Sequence, residues 1–285
     1  MSDATSLLVV GAGYVGAQLA TRAAMAGRRV TATTRDGARR AMLEAQRIAV
    51  VPLDLADEAS PAALVTAGGA GPIDVCCLLT PGAFTARGTV DGTMEMLVAT
   101  LARLPVRRAV LSSSTGVYGD CAGETVSAET SPVPNDDRSS RLLAIEQAWR
   151  AAPFEARVVR LAGLYGPGRI IGLEALRRGE TLPGDGQAWL NLIHQSDAAA
   201  LLLRVLECDT AAAIELGSDG TPVRRADYYG HLATRAGCAA PRFGGGSTTR
   251  GGGSRRCDPA STWARLGWRP EFADYRAGIA ASLRA

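Results

Sequence analysis

Near its start the chain reads Ser6-Leu7-Leu8-Val9-Val10-Gly11-Ala12-Gly13-Tyr14-Val15-Gly16, a short apolar run followed by a glycine-rich turn. The apolar residues before Gly11 predict a buried strand, and the residues that follow the last glycine predict a helix. A turn of this composition between a strand and a helix is typical of a dinucleotide-binding βαβ unit.

Each glycine of the turn has its own physical role. Gly11 permits the tight turn, Gly13 lets the backbone approach a pyrophosphate, and Gly16 lets helix and strand pack closely. The first N–H groups of the helix have no partner inside the helix, and the helix dipole favours an anion there. We therefore predict that the dinucleotide phosphates are bound by Gly11, Gly13, Tyr14, Val15 and Gly16.

Apolar and helical segments alternate through the first half of the chain. Strands are predicted at 6–10, 30–34, 48–51, 73–79, 106–112 and 156–161, and helices at 14–26, 37–46, 58–67, 89–104 and 138–151. Near-continuous apolar strands joined by helices indicate a parallel sheet covered on both faces. Right-handed crossovers then give a doubly wound (Rossmann) α/β fold, with the ligand beyond the carboxyl ends of the strands.

The pattern changes after about residue 165. Further helices are predicted at 195–206, 224–235, 259–266 and 274–283. We predict a nucleotide-binding domain over residues 1–165 and a smaller, mixed substrate-binding region over residues 166–285. A segment at about 190–216 is expected to return to the Rossmann core. The glycine-rich stretch Gly244–Ser254 is either a linker or a loop near a site.

The end of the second strand favours one nicotinamide cofactor over the other. It reads Thr33-Thr34-Arg35, and Thr34 stands where an enzyme that prefers NAD carries Asp or Glu for the ribose hydroxyls. Hydroxyl and guanidinium groups bind a 2′-phosphate that a carboxylate would repel. The sequence therefore favours NADP over NAD, with Arg35 as the main contact. Asp54 and Leu55, after the third strand, are predicted to face the adenine.

Composition and charge argue against several other kinds of partner. The chain of 285 residues has 31 basic and 28 acidic residues and a formal net charge of +3. This balance does not predict binding to nucleic acid or to a membrane surface, and no apolar run approaches the roughly 20 residues that span a bilayer. Six cysteines without a CxxC pair and two histidines predict no metal site. No signal peptide is expected before the first strand, so a cytoplasmic protein is predicted.

Motifs along most of the chain resemble those of the extended short-chain dehydrogenases/reductases, the group of NAD-dependent epimerases and dehydratases. Besides the glycine turn, the motifs are 112–119 (SSSTGVYG), 160–169 (RLAGLYGPGR), 192–197 (LIHQSD), Arg255-Arg256 and 266–270 (LGWRP). The resemblance implies a small-molecule substrate, and it implies that Thr80 and Pro81 lie on the nicotinamide side of the cofactor. It also implies a possible homodimer through the helices at 89–104 and 138–151.

The resemblance assigns catalytic roles as well. Relatives use a Ser or Thr after the fifth strand and a Tyr-x-x-x-Lys pair on the next helix, which transfers the proton. Ser114 matches the serine, which would hydrogen-bond the substrate atom that gains or loses the proton. With Glu146 aligned to the family's glutamate, Arg138 holds the tyrosine position and Leu142 the lysine position. No other alignment supplies the lysine, because the chain contains none.

Three interpretations are open. The first is an atypical oxidoreductase that transfers a hydride to or from a carbonyl or imine and takes its proton from another group or water. The second is a sugar-nucleotide epimerase or dehydratase, and the third is a non-catalytic NADP-binding sensor or interaction protein. We favour the first, with Ser114, Tyr118 and Arg141 as candidate catalytic residues. Tyr165 and His194 are further candidate proton donors.

Overall fold

The computed structural model describes residues 5–57, 59–69, 71–85, 90–244 and 253–284. Its strands are Ser6–Val10 (β1), Val30–Thr33 (β2), Ala49–Val51 (β3), Ile73–Cys77 (β4), Val106–Ser114 (β5), Thr125–Val126 (β6), Glu155–Leu161 (β7), Gly163–Tyr165 (β8), Leu182–Pro183 (β9), Trp189–Leu190 (β10), Leu192–His194 (β11), Ile214–Gly217 (β12), Val223–Arg224 (β13), Phe243–Gly244 (β14) and Arg256–Cys257 (β15). Most of the glycine-rich stretch 244–254, namely residues 245–252, lies outside the described residues.

The α-helices of the described residues alternate with these strands. They are Tyr14–Met25 (α1), Gly37–Ala45 (α2), Ala62–Gly68 (α3), Val90–Leu101 (α4), Asp137–Arg150 (α5), Leu173–Arg177 (α6), Gln195–Glu207 (α7), Arg225–Ala236 (α8), Ala260–Leu266 (α9) and Tyr275–Ser282 (α10). In addition, Pro81–Thr85 and Thr115–Tyr118 form 3-10 helices. None of the described helices is long and apolar enough to cross a membrane.

The central sheet has seven strands in the order β12-β7-β5-β4-β1-β2-β3. β1 pairs in parallel with both β2 and β4, so the winding of the chain reverses between β1 and β4. All residues of β1 and β4 are buried, as expected for parallel strands covered by helices on both faces. The predicted doubly wound parallel sheet is confirmed.

Small departures from the predicted bounds have local causes. α3 begins at Ala62, because Pro61 has no N–H to donate and suits the start of a helix; residue 58, the predicted start, lies outside the described residues. β4 ends at Cys77 rather than at 79, and the N–H of Leu78 still donates to Val10 O at 2.8 Å before the chain turns away. Neither change alters the order of the elements.

One charged residue lies inside a strand that the sequence indicates to be apolar. The side chain of Asp74 in β4 is fully buried. It accepts hydrogen bonds from Arg28 Nη2 at 2.7 Å and from Arg107 Nε and Nη2 at 2.9 and 2.7 Å. These two arginines satisfy the carboxylate, so the strand tolerates it in the core.

Contacts divide the chain into two interleaved units. Unit 1 comprises residues 1–113, 141–159 and 199–215, and unit 2 comprises residues 114–140, 160–198 and 216–285. The segment 114–140 belongs to unit 2 because β6 pairs with β15 and because Arg160 donates to Tyr118 Oη at 3.1 Å. This division differs from the predicted single boundary at residue 165, and only 199–215 of the segment 190–216 belongs to unit 1.

Candidate functional site

The glycine-rich turn of unit 1 joins the end of β1 to the start of α1. Gly11 has φ of +94°, a conformation that other residues rarely adopt. A Cβ atom on Gly11 would lie 3.1 Å from the backbone of Leu78 and Leu79, and a Cβ atom on Gly16 would collide with the carbonyl oxygen of Gly11. The turn itself therefore requires glycine at both positions.

Gly13 differs from its two neighbours in the motif. A Cβ atom built on Gly13 meets no heavy atom within 4 Å, so the folded chain does not need glycine here. Bare backbone beside open space is what the close approach of a pyrophosphate requires. Gly13 also precedes α1 without a side-chain cap hydrogen bond, and the positive end of the helix dipole favours an anion at the start of this helix.

Thr33, the last residue of β2, holds the glycine turn. Its Oγ1 accepts the N–H of Gly11 at 2.8 Å, and its carbonyl oxygen accepts the N–H of Ala12 at 2.7 Å. The side chain of Thr33 is 2% exposed. Sequence reasoning gave roles to Thr34 and Arg35 and missed this residue. A hydroxyl at the carboxyl end of the strand next to β1 was the available signal.

Arg35 and Asp54 form an exposed ion pair beyond the ends of β2 and β3. Arg35 Nη1 lies 3.4 Å from Asp54 Oδ2, and the two side chains are 73% and 47% exposed. Such a pair contributes about 0–1 kcal/mol, so Arg35 can exchange the carboxylate for another anion at little cost. Thr34 Oγ1 accepts the N–H of Asp36 at 3.2 Å, whereas Leu55 is buried.

Asp36, the carboxylate that follows Arg35 in the chain, has a structural role. It accepts the N–H of Arg39 at 2.9 Å and caps the start of α2. This backbone hydrogen bond lowers the pKa of Asp36, so the residue is ionised at neutral pH. The cap fixes the direction in which the chain leaves Thr34 and Arg35.

Thr80 and Pro81 follow β4, the neighbour of β1. The hydrogen bond from Leu78 N–H to Val10 O keeps the end of β4 beside the glycine turn. Thr80 then accepts the N–H of Ala83 at 2.9 Å as the chain enters the 3-10 helix. Thr80 and Pro81 therefore lie at the carboxyl edge of the sheet, where the winding reverses and where ligands of such sheets bind.

The helix α5 shows what replaces the missing lysine. Glu146 is buried and accepts a hydrogen bond from Ser113 Oγ at 2.6 Å, which anchors α5 to the end of β5. Leu142 lies one helical turn earlier and is 2% exposed. Leu142, which the alignment through Glu146 predicts to hold the family's lysine position, is thus an apolar side chain in the protein interior, whereas Arg141 next to it is exposed.

In unit 2, Ser114 and Tyr118 bracket a 3-10 helix at the end of β5. Ser114 Oγ accepts the N–H of Gly116 at 3.1 Å, and this bond leaves the hydroxyl proton of Ser114 for a further acceptor. Tyr118 is 1% exposed, and its hydroxyl donates to Ser127 O at 2.5 Å and accepts from Arg160. We therefore assign Tyr118 a structural role in this loop.

The other two candidate donors are also held inside unit 2. His194 Nδ1 lies 2.8 Å from Ser196 Oγ and its Nε2 lies 3.3 Å from Ser282 Oγ, and burial lowers the pKa of this imidazole. Tyr165 is fully buried, and burial raises the pKa of its phenol. Neither side chain is exposed to a ligand in solution.

Asp219 follows β12 and, like Asp74, is a buried carboxylate that sequence reasoning missed. It is 2% exposed; its Oδ1 accepts the N–H of Thr221 at 2.9 Å, and its Oδ2 has no hydrogen-bond partner among the described residues. Burial raises the pKa of Asp219 to about 7, and repulsion from Asp274 and Asp197 adds to the effect. The folded protein therefore keeps this carboxyl protonated to a higher pH than the unfolded chain does.

The two helices that were predicted to form a dimer border a shallow depression. It has a volume of about 270 Å³ and is lined by Met94, Glu95, Val98, Ala148 and Ala151 of and after α4 and α5. The homodimer itself stays a prediction.

The fold and the glycine turn define a dinucleotide-binding α/β protein. The sequence model of the NAD dependent epimerase/dehydratase family matches residues 7–217. The chain belongs to this family, which confirms the resemblance seen in its motifs. A comparison with curated proteins gives no match.

Solved structures with the same fold match nearly the whole chain. A functionally unknown conserved protein from Silicibacter pomeroyi DSS is 25% identical with a TM-score of 0.78, and each chain is covered to 98%. MoeE5 in complex with UDP-glucose and NAD is 23% identical with a TM-score of 0.78, over 98% of this chain and 97% of MoeE5. UDP-glucose 4-epimerase from Thermotoga maritima is 17% identical with a TM-score of 0.79, over 98% of both chains.

Proposed function

We propose that the protein binds NADP and transfers a hydride to or from a small polar substrate, a carbonyl or an imine, without a Tyr–Lys relay. One observation carries the proposal: a dinucleotide turn with open space at Gly13 occurs in a chain whose lysine position is the buried Leu142. This member of the family thus keeps the residues that cofactor binding needs, but it lacks the tyrosine and lysine that transfer the proton in its relatives.

In this proposal, different residues of the chain would bind the cofactor and the substrate. The first turn of α1 binds the pyrophosphate, and Arg35 leaves Asp54 to bind the 2′-phosphate. When bound, the nicotinamide supplies or accepts the hydride. Ser114 would hydrogen-bond the substrate oxygen or nitrogen. Water would supply the proton in reduction and take it up in oxidation, because Tyr118, Tyr165 and His194 are engaged or enclosed within unit 2. Arg141, exposed on α5, offers a positive charge to an anionic substrate group.

The cofactor preference is tested by reversing the charge of Arg35. In Arg35→Glu the dissociation constant for NADPH should rise about 10- to 100-fold, because charge-assisted hydrogen bonds contribute about 1.5–3 kcal/mol. The constant for NADH should not rise, since NADH has no 2′-phosphate. Fluorescence titration with both cofactors measures the two constants. Arg22→Glu, an exposed reversal in the last turn of α1, is the control. Equal affinity of the wild-type protein for both cofactors would contradict the preference for NADP.

The catalytic proposal is tested by removing the hydroxyl of Ser114. A panel of carbonyl and imine compounds is first screened for substrate-dependent loss of NADPH absorbance. With a substrate in hand, Ser114→Ala should lower kcat about 10- to 100-fold and leave the dissociation constant for NADPH unchanged, because one hydrogen bond to a developing charge is lost. Ser112→Ala in the same serine run should have little effect on either quantity.

Two outcomes of the same screen would favour the alternative functions. A protein that binds NADPH tightly but consumes it with no compound of the panel would be a sensor or an interaction protein. Conversion of a nucleotide sugar without net consumption of cofactor would identify an epimerase or a dehydratase. The absence of lysine favours the sensor among these alternatives, because epimerisation needs a strong base to draw the hydroxyl proton as hydride leaves.

A further inference from the structure

We infer that Thr33 is a positioning residue for the cofactor, which it does not need to touch; the inference rests on the proposed binding of a nicotinamide dinucleotide. Thr33 donates nothing to the turn and accepts twice, through Oγ1 from Gly11 and through its carbonyl oxygen from Ala12. A single residue of β2 thus fixes two consecutive N–H groups of the turn that follows β1.

These two bonds belong to a turn whose N–H groups are paired within the chain. The N–H of Gly13 is also bonded inside the turn, to Gly11 O at 2.8 Å. The N–H groups of Gly11, Ala12 and Gly13 are therefore all engaged within the chain. Thr33 in this way holds the turn in one closed conformation directly before α1.

The hydroxyl of Thr33 has a specific task within this arrangement. Gly11 is in the left-handed region, where the backbone needs external support to stay in one conformation. Thr33 is 2% exposed, and Gly11 is half-buried. Without the hydroxyl, the N–H of Gly11 loses the partner that holds it in this turn, which costs free energy and loosens the turn.

The position of Thr33 distinguishes its effect from that of Arg35. In the proposed function the glycine turn would hold the pyrophosphate, which NAD and NADP have in common, whereas Arg35 would hold the group by which they differ. Loss of the Thr33 hydroxyl should therefore weaken both cofactors by the same factor, and loss of the Arg35 charge should weaken only one of them.

Three variants test the inference. Thr33→Val keeps the shape of the side chain and removes the acceptor, Thr33→Ser keeps the acceptor, and Thr31→Val removes a hydroxyl from the same face of β2. The dissociation constants for NADPH and NADH should both rise about tenfold in Thr33→Val, which corresponds to the loss of one hydrogen bond that holds the turn. Both constants should stay near the wild-type value in Thr33→Ser and Thr31→Val.

A second measurement does not depend on the cofactor. Amide hydrogen exchange at Gly11 should be faster in Thr33→Val than in wild type, Thr33→Ser or Thr31→Val. Unfolding temperatures of the three variants show whether a change in affinity is a loss of folding instead. A variant that loses stability but keeps its affinity would reduce Thr33 to a structural residue and overturn the inference.

The outcomes separate this inference from the function on which it rests. If the wild-type protein binds neither NADPH nor NADH, the proposed function fails, and the positioning role fails with it. If the wild-type protein binds, but Thr33→Val and Thr31→Val have the same affinities and the same exchange rate at Gly11, only the positioning role fails.

Discussion

Replacing Asp219 by asparagine should stabilise the protein above about pH 7 and change its stability little near pH 4. In the unfolded chain this carboxyl ionises around pKa 3.8, and in the folded protein burial raises the pKa to about 7. Between pH 3.8 and about pH 7, folded Asp219 therefore holds a proton that the unfolded chain has lost. The stability that this proton provides is complete below the unfolded pKa of 3.8 and is lost as the pH rises through the folded pKa of about 7.

The expected size of the effect follows from the two pKa values. A rise from 3.8 to about 7 corresponds to at most about 4 kcal/mol of unfolding free energy. Asparagine keeps the carbonyl oxygen that accepts the N–H of Thr221 and carries no charge to bury. Part of the gain is offset, since the new amide N–H groups need acceptors in a buried place.

Denaturant unfolding of wild type and Asp219→Asn between about pH 4 and pH 9 measures the difference. The free energy of the variant minus that of wild type should grow up to about pH 7 and then stay level. Asp185→Asn is the matched control, because Asp185 accepts an N–H two residues ahead in the same manner but is exposed. A flat difference for Asp219→Asn would show that the carboxyl is solvated or paired.

Alanine at Gly13 and alanine at Gly16 should separate binding from folding. Gly13→Ala adds a methyl group where the folded chain has open space. The free energy of unfolding should therefore fall only by the small difference between glycine and alanine as helix N-cap residues. The same methyl group occupies the space against which a pyrophosphate fits. The dissociation constant for NADPH should rise about 5- to 150-fold, the range that corresponds to about 1–3 kcal/mol of overpacking.

Gly16→Ala should lower both stability and affinity. Its methyl group meets the carbonyl oxygen of Gly11, which belongs to the backbone and has no rotamer to move away. We expect a loss of unfolding free energy of about 3 kcal/mol or more, together with weak binding, because the turn must open. Thermal unfolding and NADPH titration of the two variants side by side provide the test. Equal loss of stability in both would mean that the turn also needs glycine at position 13.

The regular elements of unit 1 were predictable because their signals are local. Buried parallel strands are apolar throughout, and Asp36 begins α2 as a capping residue does. The glycine turn could also be predicted from the sequence, since a left-handed φ at Gly11 and a close approach at Gly16 each exclude side chains. The burial of Asp74 could not be predicted from the sequence, because its partners Arg28 and Arg107 lie far away in the chain.

The candidate site was predictable only in part for the same reason. Motif positions identified Ser114 and the absence of the tyrosine and the lysine. They did not reveal that Tyr118 is tied to Ser127 and Arg160, or that Leu142 is enclosed, because both facts depend on segments that meet only in the folded chain.

The sequence by itself determined the parallel α/β fold, the dinucleotide turn and the loss of the lysine, since each is a matter of which side chains are present and in what order. Only the tertiary structure decided how these features are supported. It brought Thr33 to the N–H of Gly11, from 22 residues away, and enclosed Asp219 without a partner for one of its oxygens. Hydrogen bonding and desolvation depend on distances between segments, and packing alone fixes those distances.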